Sequence, residues 1–285
     1  MNGLPDLAAI RRVVAVALEE DLGERGDITS ESVIRAGTRA RGWVVARGSM
    51  VVAGLPVARE VFSSLDPTLS FDSLLDEGSQ AARGDRLALV AGDARAILTG
   101  ERTALNFLMR MCGIATAARA AVAEVSGTGA IILDTRKTAP GLRVLDKYAV
   151  AVGGATNHRM GLFDAVLIKD THLAVAGATL EESVGRALAR GHDPASLTVE
   201  VGSEQELDHA IVAGAGRALL DNMDLRTLRR CVERAGDRIM LEASGGLRPG
   251  GLRVVAEAGV RYLSIGWLTH SAPGADLALD LEAAG

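Results

Sequence analysis

Lysine is rare in this chain, and its three positions lie close together. Of the 31 basic residues 28 are Arg, and the remaining three are Lys137, Lys147 and Lys169. An ammonium group is a compact point charge, which Arg does not readily replace at a phosphate or a reacting centre. The pattern therefore indicates chemistry at Lys137 and Lys169. Lys147 lies inside a predicted helix and is interpreted as structural, and chance clustering of all three is the alternative.

Most of the residues that could do chemistry stand where an apolar run ends. The stretch IILDTRK (131–137) is an example, since an apolar segment is followed by one acid and two cations. Cations follow the early apolar runs, and carboxylates follow the middle runs. The last two runs are followed by the Gly/Ser loops ASGG (243–246) and SIGW (264–267). The polar residues at these ends are Asp134, Arg136, Lys137, His158, Arg159, Lys169, Asp170, His172, Glu200, Asp221, Asn222, Glu242 and Ser244.

The cations among them outnumber what one phosphate requires. Guanidinium groups bind planar carboxylates in a bidentate fashion, whereas Lys serves phosphate as a point charge. Arg136, Lys137, His158, Arg159 and Lys169 together indicate a substrate with several anionic groups, such as a dicarboxylate beside a phosphorylated partner. The alternative is that the two arginines form structural ion pairs with nearby carboxylates.

Glu200 and Asp221 end neighbouring predicted strands, so their carboxylates are expected to converge. Such a pair can hold a divalent metal, bind sugar hydroxyls or stabilise positive charge that develops in a transition state. The alternative is that they balance the nearby cations.

The two glycine-containing loops are consistent with a phosphate site. Gly lets backbone N–H groups approach phosphate oxygens, and α/β barrels often bind phosphate after their last two strands. Each loop alone is more simply interpreted as a turn, but both follow the final two strands, which favours phosphate.

An alternation of strands and helices is expected to position these residues. Six apolar runs, at 131–137, 165–170, 197–201, 218–222, 239–246 and 262–266, alternate with helical patterns at about 141–152, 179–190, 203–214, 224–235 and 248–258. Continuous apolar strands between helices indicate a parallel sheet. Because charged residues follow the strands repeatedly, we predict a closed α/β barrel whose active site lies at the carboxyl ends of the strands.

The first 110 residues lack this rhythm and are predicted to form a separate α+β domain. A helix at about 5–20, strands within 40–54 and 86–92, and a helix near 55–64 are expected there. We place the domain boundary at 112/113, inside a long helix at about 93–125 that leads into a barrel domain at 113–270. The tail, 271–285, is expected to pack on the first domain.

Composition limits the possible functions. The chain has 285 residues, 48% of them hydrophobic, and a formal charge of -5, which argues against a general nucleic-acid binder. Cys112 and Cys231 have no metal-ligand or CxxC spacing and are interpreted as core residues of a reducing compartment. No signal peptide or membrane span is recognisable, so a cytoplasmic location is expected.

Seven segments together resemble quinolinate phosphoribosyltransferase, the decarboxylating nicotinate-nucleotide pyrophosphorylase. In order from about residue 19 to 271, they are EDLGERGDITS, GERTALNFL, DTRKTAPGLRVLDKYAVAVGGATNHRMGL, LIKDTH, LLDN, LEASGG and GWLTHS. The resemblance implies an N-terminal α/β sandwich followed by an incomplete, seven-stranded α/β barrel. It also implies a reaction of quinolinate with phosphoribosyl pyrophosphate and Mg²⁺, giving nicotinate mononucleotide, pyrophosphate and CO₂ in NAD biosynthesis.

The resemblance also implies residue roles. Arg102 would reach the quinolinate site from the other subunit of a homodimer. The two ring carboxylates would be bound by Arg136, His158, Arg159 and Lys169. Glu200 and Asp221 would hold the ribose and Mg²⁺ and act in catalysis with Lys137 and Lys169. The further contacts to the donor would come from Thr135, Lys137, Lys169, Ser244, Gly245, Gly246, Gly266 and Trp267.

Three positions depart from the family pattern. Thr171 stands where the family usually has Asn in KDNH, Thr198 where a second Glu is frequent, and Trp267 where a small residue precedes LTHS. These changes leave the reaction class in place and bear on the exact substrate.

Three other functions fit parts of the sequence. A paralogue on the same fold could act on a related pyridine carboxylate, or in molybdate or secondary metabolism, although the intact Asn157–Arg159 and Lys169-Asp170 motifs favour quinolinate. A Schiff-base aldolase would use Lys169 as nucleophile, which calls for fewer anion-binding neighbours. A non-catalytic barrel that binds quinolinate would leave Glu200 and Asp221 without a purpose.

Overall fold

The computed structural model describes residues 4–283, which fall into two compact units. Unit 1 comprises the chain up to Arg119, Ala139–Gly154 and the chain from Ser271, and unit 2 comprises Ala120–Thr138 and Ala155–His270. The predicted boundary at 112/113 does not coincide with this division, because residues 139–154 group with unit 1. Residues 1–3 of the predicted first domain and 284–285 of the predicted tail lie outside the described residues.

The elements up to the long helix are α1 (Leu7–Leu22), α2 (Ile28–Val33), β1 (Arg39–Ala46), β2 (Met50–Val51), α3 (Leu55–Leu65), β3 (Ser70–Ser73), β4 (Gln80–Ala81), β5 (Arg86–Asp93) and α4 (Ala94–Glu124). Those that follow are β6 (Ile131–Leu133), α5 (Arg143–Val152), β7 (Val166–Ile168), α6 (Asp170–Ala176), α7 (Leu180–Ala189), β8 (Leu197–Val201), α8 (Glu204–Val212), β9 (Arg217–Asp221), α9 (Leu225–Ala235), β10 (Met240–Ser244), α10 (Leu252–Ala256), β11 (Tyr262–Ser264), α11 (Trp267–His270) and β12 (Leu277–Ala283). A 3₁₀ turn, Pro194–Ser196, precedes β8.

Unit 1 contains an antiparallel sheet in the order β12-β1-β5-β3. The C-terminal strand β12 pairs with β1 from Ala40↔Ala283 to Ala46↔Leu277, as expected for a tail that packs on the first domain. Helix α1 buries Ile10, Val14 and Leu18, which recur every four residues and so lie on one face.

The long elements of unit 1 were predictable, whereas the short ones were not. The predicted strand region 40–54 consists of β1 and the two-residue strand β2, and α2, β3 and β4 were not anticipated. Helix α2 depends on a local cap, since Asp27 Oδ1 accepts from the N–H groups of Thr29 and Ser30 at 3.1 and 2.9 Å. A helix of six residues is too short for hydrophobic periodicity to reveal.

Unit 2 is built on a parallel sheet in the order β6-β11-β10-β9-β8-β7, and these are the six predicted strands. An isolated parallel bridge joins Leu133 of β6 to Thr156. The sheet therefore has six strands, and the seventh strand that the family resemblance implies is represented beyond β6 by this one bridge. The short helices α6 and α11 were not predicted.

The strands of unit 2 are mostly apolar, and some bury side chains on both faces. In β9, the consecutive Ala218, Leu219 and Leu220 are all buried. The helices that follow begin at side-chain caps, with Ser203 Oγ accepting from Glu206 N–H at 3.2 Å and Asp224 Oδ1 from Thr227 N–H at 2.7 Å. Each strand thus ends abruptly in a polar loop at the same edge of the sheet.

The two cysteines are free and buried, in agreement with their interpretation as core residues. Burial raises the pKa of the Cys112 thiol to about 12, so this thiol is not a reactive nucleophile at neutral pH. None of the helices in the described part of the chain is long and apolar enough to cross a membrane.

Candidate active site

A cavity of about 350 Å³ opens at the carboxyl ends of the strands of unit 2. It collects most of the residues that the sequence singled out, from the ends of six strands or the loops beyond them. Its lining residues are Thr135, Arg136, Lys137, His158, Arg159, Leu167, Lys169, Glu200, Leu219, Asp221, Glu242, Ser244 and Ser264.

One wall of the cavity carries two neighbouring guanidinium groups. Burial lowers the pKa of Arg159, the positive charge of Arg136 lowers it further, and Asp164 partly offsets both effects. Arg159 also donates to the Ala165 carbonyl at 2.9 Å, which holds its side chain in place. The two like charges repel each other, and an anion bound between them would relieve this repulsion.

Asp134 holds this wall together. It is fully buried, Asn157 Nδ2 donates to its Oδ2 at 2.8 Å, and the backbone N–H of His158 donates to its Oδ1 at 2.7 Å. The carboxylate thereby ties the segment after Thr156 to the end of β6. Asp134 is an orienting residue of the Thr135–Lys137 turn, and the Asn157–Arg159 motif is its partner.

His158 and Glu242 form the floor of the cavity. His158 Nδ1 accepts from the Arg159 N–H at 2.7 Å, and His158 Nε2 lies 3.4 Å from Glu242 Oε1. Nε2 is therefore the ring nitrogen that faces the carboxylate. Both ring nitrogens are engaged within the protein, so the imidazole borders the cavity in a fixed orientation.

Glu242 is a fully buried carboxylate to which the sequence assigned no role. Its Oε2 lies 3.1 Å from Arg217 Nη1, and the Arg217 guanidinium stacks on the Tyr262 ring at 4.2 Å. Burial raises the pKa of Glu242, but the hydrogen bond and charge of His158, followed by Ser264 and Arg217, outweigh burial and bring the pKa below its usual value. Glu242 is therefore ionised, and an acid inside the apolar run IMLEAS was the signal available for it.

Lys169 forms an ion pair with Glu200 across the cavity. The Lys169 backbone N–H donates to His172 Nδ1 at 3.0 Å, so His172 orients the loop after Lys169. A Lys side chain in this place is suited to binding anions as a point charge.

The two glycine-containing loops reach the same region from β10 and β11. Gly245 and Gly246 have φ values of +97° and +63°, which residues with a side chain rarely adopt. A Cβ on Gly266 would lie 2.8 Å from Lys137 Cδ and 3.3 Å from Thr135 Oγ1. Gly266 therefore allows its loop to lie directly against the Thr135–Lys137 turn, and the half-buried Trp267 follows at the start of α11.

Arg102 is the one proposed site residue that lies in unit 1. It is exposed on α4 and makes no hydrogen bond or ion pair with any residue among 4–283. It does not line the cavity of unit 2.

The carboxylates that line the cavity are better suited to hold a metal ion together with a bound substrate than to hold one by themselves. Between residues 4 and 283 there is no group of three or more His, Cys, Asp or Glu side chains that could hold a metal ion by themselves. Glu200 and Asp221 both line the cavity, and Mg²⁺ is commonly held by one or two carboxylates together with substrate phosphates. The pair fits a Mg²⁺ ion that the phosphorylated substrate helps to bind.

Two family models account for the chain from residue 27 to residue 280. The quinolinate phosphoribosyl transferase N-terminal domain matches residues 27–112 and the C-terminal domain of the same family matches residues 114–280. The chain belongs to the quinolinate phosphoribosyl transferase family.

Individual relatives of the family are similar over nearly their full length. A nicotinate-nucleotide pyrophosphorylase [carboxylating] of Mycobacterium leprae is 41% identical over 281 residues, which cover 96% of this chain and 97% of the relative. The structure of the nicotinate-nucleotide pyrophosphorylase from Francisella tularensis aligns with a TM-score of 0.90 at 33% identity and covers 99% and 98% of the two chains. Human nicotinic acid phosphoribosyltransferase, at 14% identity with a TM-score of 0.63 over 96% of this chain and 76% of that one, shares the fold alone.

The three residues that depart from the family pattern lie in different environments. Thr198 is buried within β8 and does not line the cavity, whereas Thr171 is exposed at the start of α6. Trp267 follows the Gly266 loop directly. Of the three, Trp267 is the one nearest in sequence to a proposed phosphate-binding loop.

Proposed function

We propose that the chain transfers the phosphoribosyl group of phosphoribosyl pyrophosphate to quinolinate, releasing pyrophosphate and CO₂ and giving nicotinate mononucleotide for NAD biosynthesis. The observation that carries this proposal is that Arg136 and Arg159 line the same cavity as the Glu200 and Asp221 carboxylates. Membership in the quinolinate phosphoribosyl transferase family, and the names of its relatives, support the same reaction.

The cationic wall is the proposed quinolinate site. Arg136 and Arg159 offer forks that match the two ring carboxylates, and Lys169 adds a third positive charge. His158 contributes by its fixed place between the Arg159 backbone and Glu242. Binding a dianion here relieves the repulsion between the guanidinium groups.

The donor is proposed to bind beside it. Lys137 and Lys169 offset the charge of the phosphate groups, and the ribose faces Glu200 and Asp221. The 5′-phosphate is assigned to the loops after β10 and β11, where glycine leaves backbone N–H groups accessible. The residues assigned to the donor are Thr135, Lys137, Lys169, Glu200, Asp221, Ser244, Gly245, Gly246, Gly266 and Trp267.

The chemistry then requires positioning and charge stabilisation. The ring nitrogen attacks the anomeric carbon while the bond to pyrophosphate breaks, and Glu200 and Asp221 stabilise the positive charge that develops on the ribose. Lys137 and Lys169 stabilise the departing negative charge. A Mg²⁺ ion bound by Glu200, Asp221 and the donor would supply further neutralisation of the pyrophosphate.

Decarboxylation follows without a protein nucleophile. Alkylation makes the ring nitrogen a pyridinium centre, and the electron pair of the bond to the adjacent carboxylate remains on the ring carbon when CO₂ leaves. That carbon then takes up a proton. Nicotinate lacks the carboxylate next to the nitrogen, so it cannot undergo this decarboxylation and offers the cationic wall one anionic group instead of two.

A homodimer is part of the proposal, with Arg102 of one subunit completing the quinolinate site of the other. The exposed guanidinium of Arg102 supports this assignment. Leu162 and Phe163, which follow Arg159, and Val175, on the helix after Lys169, are 75%, 83% and 91% exposed. Exposed apolar side chains indicate an interface when they are contiguous, and Leu162 and Phe163 are adjacent in the chain.

The rival functions are separated by simple measurements. The Lys169–Glu200 ion pair disfavours a Schiff-base aldolase. We therefore expect that borohydride traps no adduct between Lys169 and a carbonyl substrate. A paralogue would prefer another pyridine carboxylate over quinolinate. We also propose a cytoplasmic location, which fractionation of the source cells would test.

The direct test is product analysis. Purified protein, quinolinate, phosphoribosyl pyrophosphate and Mg²⁺ are expected to yield nicotinate mononucleotide and pyrophosphate, detected by chromatography, and removal of Mg²⁺ with a chelator is expected to stop the reaction. A protein that binds quinolinate but releases no pyrophosphate would contradict the proposal.

A further inference from the structure

Asn222 has a backbone conformation that no other non-glycine residue of the described chain, 4–283, shares. Its φ is +53°, in the left-handed region. This region disfavours residues with a Cβ, although Asn enters it more readily than most. Asn222 directly follows Asp221 at the end of β9, so the unusual conformation occurs at the edge of the cavity.

The contacts of Asn222 extend to two parts of the site. Its side-chain Nδ2 donates to Asp221 Oδ2 at 2.7 Å, and its backbone N–H donates to the Ser244 carbonyl at 2.9 Å. A Cβ placed on Gly245 would lie 2.2 Å from Asn222 Oδ1 and 2.8 Å from Asn222 N. The side-chain amide therefore lies between the Asp221 carboxylate and the Gly245 backbone.

We propose that Asn222 is a positioning residue for the phosphoribosyl donor, fixing the Asp221 carboxylate and the Ser244–Gly246 loop relative to each other. The inference rests on the proposed function, in which Asp221 faces the ribose and the loop binds the 5′-phosphate. These two groups belong to one donor molecule, so the distance between them is set by its covalent structure. A side chain in contact with both protein segments sets the matching distance in the site.

The left-handed φ sets where the Asn222 side chain lies. The N–H of Asn222 continues the pairing of β9 with β10, and φ fixes how the side chain leaves Cα, so that its amide lies beside Asp221 and Gly245. Both the amide and the backbone conformation are therefore needed, and they can be separated by substitution.

Asn222→Gly and Asn222→Ala separate the two contributions in steady-state kinetics. Gly keeps the left-handed backbone and removes the amide, whereas Ala removes the amide and also disfavours the backbone. We expect Asn222→Gly to raise KM for phosphoribosyl pyrophosphate about tenfold, from the loss of one hydrogen bond to a charged group, with KM for quinolinate within about twofold of wild type. Asn222→Ala should show the larger loss. The isosteric Asn222→Asp should not restore the wild-type constants, because it replaces the donor that faces Asp221 with an acceptor.

Asp224→Ala is the matched control in the same loop. It removes the cap of α9 and should lower Tm, with both KM values within about twofold of wild type. An inactive wild-type protein would refute the proposed function. An active wild type with an unchanged KM for the donor in Asn222→Gly, or with equal rises in both KM values, would refute the role of Asn222.

Discussion

Arg136 and Arg159 hold two positive charges side by side at the cavity wall, where each raises the electrostatic cost of the other. The lowered pKa of Arg159 records this repulsion, which adds to the effect of burial. Asp134 fixes the segment that carries Arg159 relative to the turn that carries Arg136. The protein thus maintains an arrangement that becomes favourable when a dianion binds.

Arg136→Lys tests whether this wall recognises a planar carboxylate. The substitution keeps the charge and removes the guanidinium fork, so KM for quinolinate should rise about tenfold while KM for the donor changes by less than about twofold. Initial-rate kinetics with each substrate varied in turn would measure both constants.

Arg83→Lys is the matched control, because Arg83 is exposed in unit 1 and makes no hydrogen bond or ion pair with another described residue. Its kinetic constants should equal those of wild type. If Arg136→Lys also retained the wild-type KM for quinolinate, charge alone would explain the site and bidentate recognition would be excluded.

Glu242→Gln tests the buried carboxylate at the cavity floor. It removes the negative charge that faces His158 and Arg217 in the buried site, so the free energy of unfolding at neutral pH should fall by about 2–3 kcal/mol. The pKa of Glu242 is lowered in the folded protein, so its stabilisation is present above the usual Glu value of 4.5 and is lost as pH falls below it. Urea unfolding at several pH values should therefore show a steeper loss of stability on acidification in wild type than in Glu242→Gln. Parallel pH profiles would contradict this account.

At the residue scale, sequence reasoning identified the groups with obvious chemistry. Arg136, Lys137 and Glu200 could be assigned because each follows an apolar run, where parallel strands bring their ends together. Asn222 could not, since a positive φ leaves no mark in a sequence in which Asn is common in turns. The pairing of Glu242 with His158 was equally hidden, because it joins residues 84 positions apart.

Secondary-structure elements in unit 1 approach each other closely at glycine. Gly113 lies inside α4, and a Cβ there would be 2.1 Å from the Pro273 carbonyl oxygen. The backbone of the C-terminal segment could not lie against this helix if a side chain were present. Gly185, inside α7, is exposed and a Cβ there would have no neighbour within 4 Å.

We therefore expect the same substitution, Gly to Ala, to have opposite effects on protein stability at positions 113 and 185. Gly113→Ala should destabilise the protein by about 1–3 kcal/mol, because backbone atoms must move. Gly185→Ala should stabilise it by about 0.5–1 kcal/mol, because Ala is the better helix former. Chemical denaturation would measure both, and a neutral Gly113→Ala would show that the segment after residue 270 does not pack as described.

At the element scale, long periodic segments were predictable and single turns were not. The strands of unit 2 lie at the predicted positions because short continuous apolar runs between helical patterns are typical of buried parallel strands. Helix α6 buries none of its residues, so its sequence has no amphipathic pattern that would predict a helix. The seventh strand is reduced to one bridge at Thr156, which is shorter than any pattern in a sequence can reveal.

At the scale of the whole molecule, the site is proposed to need two copies of the chain. Arg102→Ala and Lys137→Ala proteins, each inactive alone, should regain activity when mixed under conditions that allow subunit exchange. Random pairing restores about one quarter of the sites, because half of the dimers are mixed and each mixed dimer holds one intact site. Activity should approach that fraction of wild type.

Two Lys137→Ala preparations carried through the same exchange provide the control, since no pairing of them restores a site. Differential tagging would show whether mixed dimers form. If they do form and the activity stays at the level of the single variants, Arg102 and Lys137 do not belong to a shared site.

The central claim is that the cavity of unit 2 joins quinolinate to the phosphoribosyl donor with loss of the carboxylate beside the ring nitrogen. Quinolinate labelled with ¹³C in that carboxylate, incubated with the protein, phosphoribosyl pyrophosphate and Mg²⁺, tests it most directly. The account predicts labelled CO₂ and unlabelled nicotinate mononucleotide in equal amounts, and no product when nicotinate replaces quinolinate. Label retained in the nucleotide, or equal turnover of nicotinate, would contradict it.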